Sequence, residues 1–293
     1  MKALIPLSLA VLAGIARGAS VEVNAPVREA NFVGYIAQQS LPYQSLRRWP
    51  SLRARILSED SSSGRLAAYV EFPRGWHARR LPALAQSVEV IVLDGGLTFG
   101  TDALAHYDFA FVPPGRSPPS LGSRDGAHAL VFFDPPAADA AAVGRQQQRG
   151  AYVTRFDPAR WQPASLARSA GATADLKVMH LKKDPFTTAR TWYVKLEGGM
   201  TVPWEVHSMP EEGYLMEGSY RLAECLPART VIGNYVQGGY FWRPGGIAHS
   251  GPESGPQGPV IWLQRSPIAL DVVFYQRCVA GTAGEPLRPG SKP

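Results

Sequence analysis

Residues 204–218, WEVHSMPEEGYLMEG, and residues 241–252, FWRPGGIAHSGP, decide how this chain folds. In the first stretch Glu205 and His207 stand two apart in a segment that reads as a strand, so both side chains point to one face. A hairpin after them brings Glu211 back beside the pair. In the second stretch Pro244, Gly245 and Gly246 make a tight turn, Pro setting φ and Gly accepting angles that other residues resist, and His249 follows on a separate strand. Imidazoles and carboxylates drawn together in this way suit one divalent transition metal: Fe(II), Zn(II), Mn(II) or Ni(II). His207, Glu211 and His249 are the expected ligands. Glu205 has three open roles: fourth ligand, acid or base beside the metal, or partner of a neighbouring group.

Glycines frame both stretches. Gly199 precedes Glu205 by six positions, Gly218 follows Glu211 by seven, and Gly238 precedes Pro244 by six. The same ruler fits the first half of the chain. RILSEDSSSGRLAAYVEFPRGW from Arg55 aligns with MHLKKDPFTTARTWYVKLEGGM from Met179, and YDFAFVPPGRSP from Tyr107 aligns with GGYFWRPGGIAH from Gly238. The frame is therefore present twice. In the first copy the ligand places hold Leu81, Ala83, Val88 and Pro118, none of which binds a metal.

This paired signature resembles that of the cupin superfamily: Gly, five residues, His-x-His, three or four residues, Glu, six residues, Gly, and later Gly, five residues, Pro-x-Gly, two residues, His, three residues, Asn. Two marked positions depart from it, Glu205 at the first His and Glu253 at the Asn. The two-copy layout is also similar to uncharacterised two-barrel proteins whose barrels resemble the cupin part of the ChrR anti-sigma factor. The resemblance implies an all-β fold of two tandem jelly-roll barrels. Residues 40–136 would form a barrel without metal ligands, 137–174 a linker, and 175–279 a barrel with a metal site. It also implies pairing of two copies through barrel edges, and often, among such proteins, dioxygenase chemistry.

The rest of the sequence agrees with many short strands. There are 29 Gly and 26 Pro in 293 residues, with 45% apolar and 18% charged residues, which favours β structure joined by tight turns. Runs such as Val90-Ile91-Val92-Leu93 and Val260-Ile261-Trp262-Leu263 read as strands buried on both sides. Residues 136–149, rich in Ala and Gln, read as the one helix, and 150–175 as irregular. His77, His106, His128 and His180 belong to no cluster and read as surface or local bonding. Trp204, Tyr214, Tyr240 and Trp242 read as barrel packing.

Residues 1–19 have the layout of a secretory signal peptide, with Lys2, an apolar run over residues 3–15, and small residues at Ala16, Gly18 and Ala19. The run falls short of the roughly 20 residues that span a bilayer. A secreted or periplasmic location follows, with no membrane attachment after cleavage. Loss of Lys2 and Arg17 lowers the net charge from +6 to +4. The basic pairs Arg47-Arg48, Arg79-Arg80 and Lys182-Lys183 are scattered and read as solvated surface, without the aromatic interleaving of a nucleic-acid surface. Cys225 and Cys278 are either a disulfide or two buried thiols. Residues 280–293, with Gly, Pro and Ser, read as a disordered tail. The functional expectation is an exported metal-dependent enzyme acting on a small molecule in the second barrel. The alternative is a barrel that captures a metal or small ligand without catalysis.

Overall fold

The apolar runs lie between two layers, each strand feeding its own barrel with one face and a shared seam with the other. Val90 and Val92 enter the core of the first barrel while Ile91 enters the seam. Val260 and Trp262 enter the second barrel while Ile261 and Leu263 meet the seam. The period-two alternation of a strand is thus hidden by burial on both faces. A computed structural model describes residues 20–29, 31–164, 176–199, 201–279 and 282–283. The expected signal segment, and all of the expected disordered tail except residues 282–283, lie outside the described residues.

The first barrel packs a seven-stranded sheet over a four-stranded one. The larger runs in the order Tyr152–Thr154, Phe109–Val112, Ser87–Gly95, Ala127–Asp134, Arg65–Phe72, Trp49–Asp60, Gln44–Leu46. The smaller runs Asp102–Leu104, Leu97–Phe99, Leu121–Ser123, Trp76–Ala78. Leu81 and Val88, at two of the ligand places, are part of its hydrophobic core, and Ala83 is exposed.

The second barrel faces an eight-stranded sheet with a seven-stranded one. The first runs Gln162–Pro163, Lys177–Lys183, Arg190–Leu196, Val260–Ser266, Glu211–Glu217, Gly239–Arg243, Phe32–Ala37, Val27–Glu29. The second runs Val21–Val23, Thr230–Val236, Ser219–Cys225, Ala248–Gly251, Val202–Val206, Val273–Tyr275, with Gly255–Pro256 beside Ser219–Cys225.

Three features depart from the sequence reading. Strands from the N-terminal segment cross to the second barrel: Val21–Val23 pairs parallel to Thr230–Val236, and Phe32–Ala37 pairs with Gly239–Arg243. Tyr35 anchors the crossing, its ring stacked on Tyr235 at 4.8 Å and its hydroxyl donating to the Leu222 carbonyl at 2.8 Å. Residues 150–175 are not wholly irregular, since Tyr152–Thr154 covers the edge of Phe109–Val112 and Gln162–Pro163 pairs with Lys177–Lys183. An exposed edge strand offers unpaired backbone groups, and these short segments cap two such edges. The helix is Ala140–Arg149, capped by Asp139 through the Ala141 amide at 2.8 Å. It bridges the halves, Gln147 donating to the Pro114 carbonyl at 2.9 Å and Gln146 to Asp184 at 2.8 Å.

The third departure is Lys182, expected on the surface but buried at the seam. Its ammonium pairs with the fully buried Glu89 of the first barrel, which also accepts from Thr191 at 2.7 Å and Arg265 at 2.9 Å. Arg265 continues to Asp134 and Glu212. Burial alone would raise the Glu89 carboxyl, but the charges of Arg265 and Lys182 outweigh it and hold the group near 2, against an ordinary 4.5. A carboxyl depressed on folding contributes stability above its unfolded value, and that contribution is lost as pH falls through the folded value. Unfolding midpoints should therefore drop between pH 4.5 and about 2. Glu89→Ala should remove that component and cost about 3–5 kcal/mol, because Lys182 is left buried without its acid. Urea melts of wild type and variant across this pH range check both.

Candidate metal centre

Strand pairing explains why the sequence motif converges. Glu205 on Val202–Val206 lies directly opposite His249 on Ala248–Gly251, a cross-strand pair whose side chains share one face. His207 continues that face two residues on. The Pro244 turn docks against it: the Gly246 amide donates to the His207 carbonyl at 2.8 Å. Two glycines are required here for different reasons. A Cβ at Gly245 would sit 2.2 Å from the Ser208 carbonyl oxygen, and Gly246 has φ +87°. Ser250, beside His249, holds the left-handed φ of +74° without being glycine, and its hydroxyl reaches Glu205 at 3.2 Å.

The two imidazoles are oriented alike. His207 has Nδ1 2.7 Å from the Asp271 carbonyl, and His249 has Nδ1 3.3 Å from the Ile247 carbonyl. An N–H placed on each carbonyl leaves Nε2 as the electron-pair donor, the arrangement that fixes a metal-binding tautomer. His249 Nε2 lies 3.2 Å from Glu205 Oε1. Glu205, His207 and His249 each offer one ligand atom, and these lie within 4.8 Å of one another.

Glu211, expected as a ligand, lies beside this group but is shared. Its Oε2 is 3.8 Å from His207 Nε2 and 3.7 Å from His249 Nε2, and the same oxygen accepts from Arg243. Arg243 is 2% exposed and also grips Glu224, Nε to Oε2 at 2.8 Å and Nη2 to Oε1 at 2.5 Å. The carboxylates push the guanidinium further up against a burial penalty that would lower it. Burial would raise the Glu205 carboxyl, but in the metal-free site a proton on His249 Nε2, hydrogen-bonded to it, together with the charges of His249, His207 and Arg243, holds it down at about 2; a metal ion bound at Nε2 would take the place of that proton.

The donor set fits a divalent ion on two counts. Ligand atoms about 2.1 Å from one centre stand roughly 3.0–3.4 Å apart; the 3.2 Å between His249 and Glu205 falls in that range, and the other donor atoms stand somewhat wider, within 4.8 Å. With neutral imidazoles, Glu205, Glu211 and Glu224 against Arg243 leave two buried negative charges, which a divalent cation balances.

A strap closes one side of the centre. Val273–Tyr275 pairs with Val202–Val206, with Phe274 opposite Glu205, and the Ser208 amide donates to Asp271 Oδ1 at 2.8 Å. Cys225 and Cys278 are bonded, Cα atoms 6.3 Å apart, which fastens the strap to the strand that carries Glu224. A cross-link over a 53-residue separation contributes about 4 kcal/mol through the unfolded chain. Replacing both cysteines by serine should therefore lower stability by about 3–4 kcal/mol. Because the strap supplies the carbonyl that orients His207, it should also weaken metal uptake, measurable by competition against a chromogenic chelator.

Above the donors opens a cavity of about 400 Å³. Its wall is mostly apolar, with Val178, Trp192, Leu222, Phe241, Trp262 and Phe274 among the lining residues. His180, read from sequence as a bland surface or locally bonded residue, lines this cavity, because it alternates with Leu176 and Val178 on the inward face of this stretch; the bulge that follows it turns Lys182 to the seam. Of the aromatic residues read as packing, Tyr214, Tyr240 and Trp242 pack at the seam, and Trp204 lies over Gly251. Sequence reasoning missed Arg243, Glu224, Ser250 and Asp271. Arg243 alone carried a signal, a charge ending the otherwise uncharged strand GYFWR.

No protein-family profile matches the sequence, and no curated protein is significantly similar to it. Solved structures are similar in shape. A variant of the Bacillus subtilis oxalate decarboxylase matches with TM-score 0.53 at 15% identity, over 82% of this chain and 78% of that one. The Lactobacillus farciminis oxalate decarboxylase, solved as a formate complex, matches with TM-score 0.54 at 12% identity, over 82% and 87%. Another Bacillus subtilis structure of that enzyme concerns its Mn(II) centres, with TM-score 0.54 at 14% identity. At such identities the likeness speaks for architecture alone, and this chain has the two-barrel cupin fold that those decarboxylases share.

Proposed function

We propose that this protein is a metal-dependent cupin enzyme that transforms a small molecule in its second barrel. The observation that carries the reading is the convergence of two oriented imidazoles and the Glu205 carboxylate at one end of a substrate-sized cavity. Glu205, His207 and His249 would hold the ion, with Glu211 beside them under the control of Arg243. A divalent transition ion there supplies Lewis-acid or oxygen chemistry at its remaining positions. The low Glu205 value favours a ligand carboxylate over a proton donor at neutral pH. His207 is kept in its donor tautomer by Asp271, and the strap shields the donors on that side. A cavity of about 400 Å³ with apolar walls favours a substrate larger and less polar than oxalate.

Oxygen uptake tests the dioxygenase-like form of this reading. Protein loaded anaerobically with iron(II) is offered diketones and catechols; consumption that vanishes in His249→Ala is the expected result. Full metal occupancy with no consumption for any substrate, and no other turnover, would favour a binding barrel. We also propose export to an oxidising compartment, supported by the apolar run at residues 3–15 and the Cys225–Cys278 bond. N-terminal sequencing of the protein from a periplasmic fraction should begin near residue 19 or 20.

A further inference from the structure

The second-barrel cavity has a polar end that the metal reading leaves unused. His180, Arg190 and Gln264 interrupt its apolar wall. Strand register places them. Thr191 and Glu212 both flank Arg265, so Arg190 and Glu211 stand in one row on either side of Ser266. Arg190 is thus two strands from Glu211, about 10 Å at a spacing of about 4.8 Å per strand. In the next row His180 faces Trp192, and Trp192 faces Gln264.

Three observations make this end a receptor for an anion. Among the described residues the half-buried Arg190 has no carboxylate within ion-pair distance, whereas Arg243 and Arg265, the buried arginines of this barrel, each have one. His180 is kept neutral by burial and by the charges of Lys183, Arg190 and Arg160, and its Nδ1 is buried without a hydrogen-bond partner. The charge count at the metal donors closes once a divalent ion is bound, which leaves Arg190 as the uncompensated charge of the cavity. Arg190 and Glu211 are also the two residues that line both this cavity and the cleft of about 260 Å³ between the barrels. An incoming molecule from that cleft meets Arg190 at the threshold.

We propose that the substrate is an apolar carboxylate, and that Arg190, with His180 and Gln264, binds its carboxylate two strands away from Glu211 on the same sheet. The apolar body, on the scale of one aromatic ring with a short chain, would lie against Trp192, Phe241 and Trp262. A guanidinium presents a fork matched to a carboxylate, which an amide cannot reproduce. This deepens the enzyme reading and rests on it for the charge count. It assigns Arg190 to binding and selection, with no part in bond making.

The test is a matched pair of probes, 4-phenylbutyrate and 4-phenylbutanol, titrated into metal-loaded and metal-free protein while the fluorescence of wall tryptophans Trp192 and Trp262 is followed. Metal-loaded wild type should bind the acid at least tenfold tighter than the alcohol, and the metal-free form should keep a smaller preference in the same direction. Arg190→Gln should abolish the preference, Arg190→Lys should keep part of it, and metal content should stay that of wild type in both. Equal binding of acid and alcohol, or no saturable response to the acid at millimolar concentration, would overturn the proposal. So would a preference that survives Arg190→Gln but disappears in a His207→Ala, His249→Ala protein, which places the carboxylate on the metal and leaves the metal reading intact. An Arg190-dependent preference in protein that takes up no metal would support the anion site while sinking the enzyme reading.

Discussion

Arg243→Leu is expected to destabilise the second barrel by about 3–5 kcal/mol, the cost of leaving buried charges without their counter-ion. The Arg243 guanidinium grips Glu211 and Glu224, both deeply buried, and Glu205 lines the same cavity as Glu211. Leucine fills much of the volume but answers none of the charge. Arg243→Lys separates charge from geometry: it keeps one positive charge and loses the two-pronged contact to Glu224, so about 1–3 kcal/mol should go. Chemical unfolding followed by tryptophan fluorescence gives the order wild type, then lysine, then leucine. A divalent ion should restore more stability to the leucine variant than to wild type, because it then answers a larger excess of negative charge. A leucine variant within 1 kcal/mol of wild type would mean that the carboxylates are protonated or solvated, and the charge argument for the metal would fall with it.

The second large effect is on metal content. Wild type purified under metal-replete conditions should carry close to one divalent ion per chain, and the His207→Ala, His249→Ala variant close to none, by elemental analysis. Binding to the folded form alone also stabilises it, by about 2.7 kcal/mol when free metal is one hundred times the dissociation constant. That increment should be present in wild type and missing in the variant. Glu205→Gln is the informative intermediate. It removes the carboxylate opposite His249 while leaving both rings, so a weakened but measurable affinity is expected. Glu211→Gln should weaken binding less, since Arg243 already claims its oxygen.

Much of this was legible before any coordinates. The glycine and proline frame recurs in both halves because tight turns admit few residue types, and that recurrence gave the two barrels. The His207 and His249 positions were legible for the same reason, since each is set by a turn a fixed distance away. What escaped the sequence was pairing over distance. FVGYIA at residues 32–37 forms a strand, and nothing local says that it pairs beyond residue 238 rather than with its neighbours in the first half. Lys182 looks like any surface lysine until Glu89, 93 residues away, is seen against it. In the sequence Glu211 reads as a ligand while Glu205 has three open roles; in space Arg243 shares the Glu211 oxygen and Glu205 groups with the two imidazoles. The turn of Lys182 to the seam, on the same side as Leu181, depends on a bulge, which alternation cannot foretell.

The central claim is that two imidazoles from separate strands and a carboxylate share one ion. X-ray absorption on the cobalt(II)-loaded protein tests it most directly, because imidazole rings give a distinct multiple-scattering pattern. The account predicts two histidine nitrogens with oxygen neighbours in wild type and loss of the imidazole pattern when His207 and His249 are both replaced. A first shell of oxygen alone in wild type, unchanged by that replacement, would contradict it.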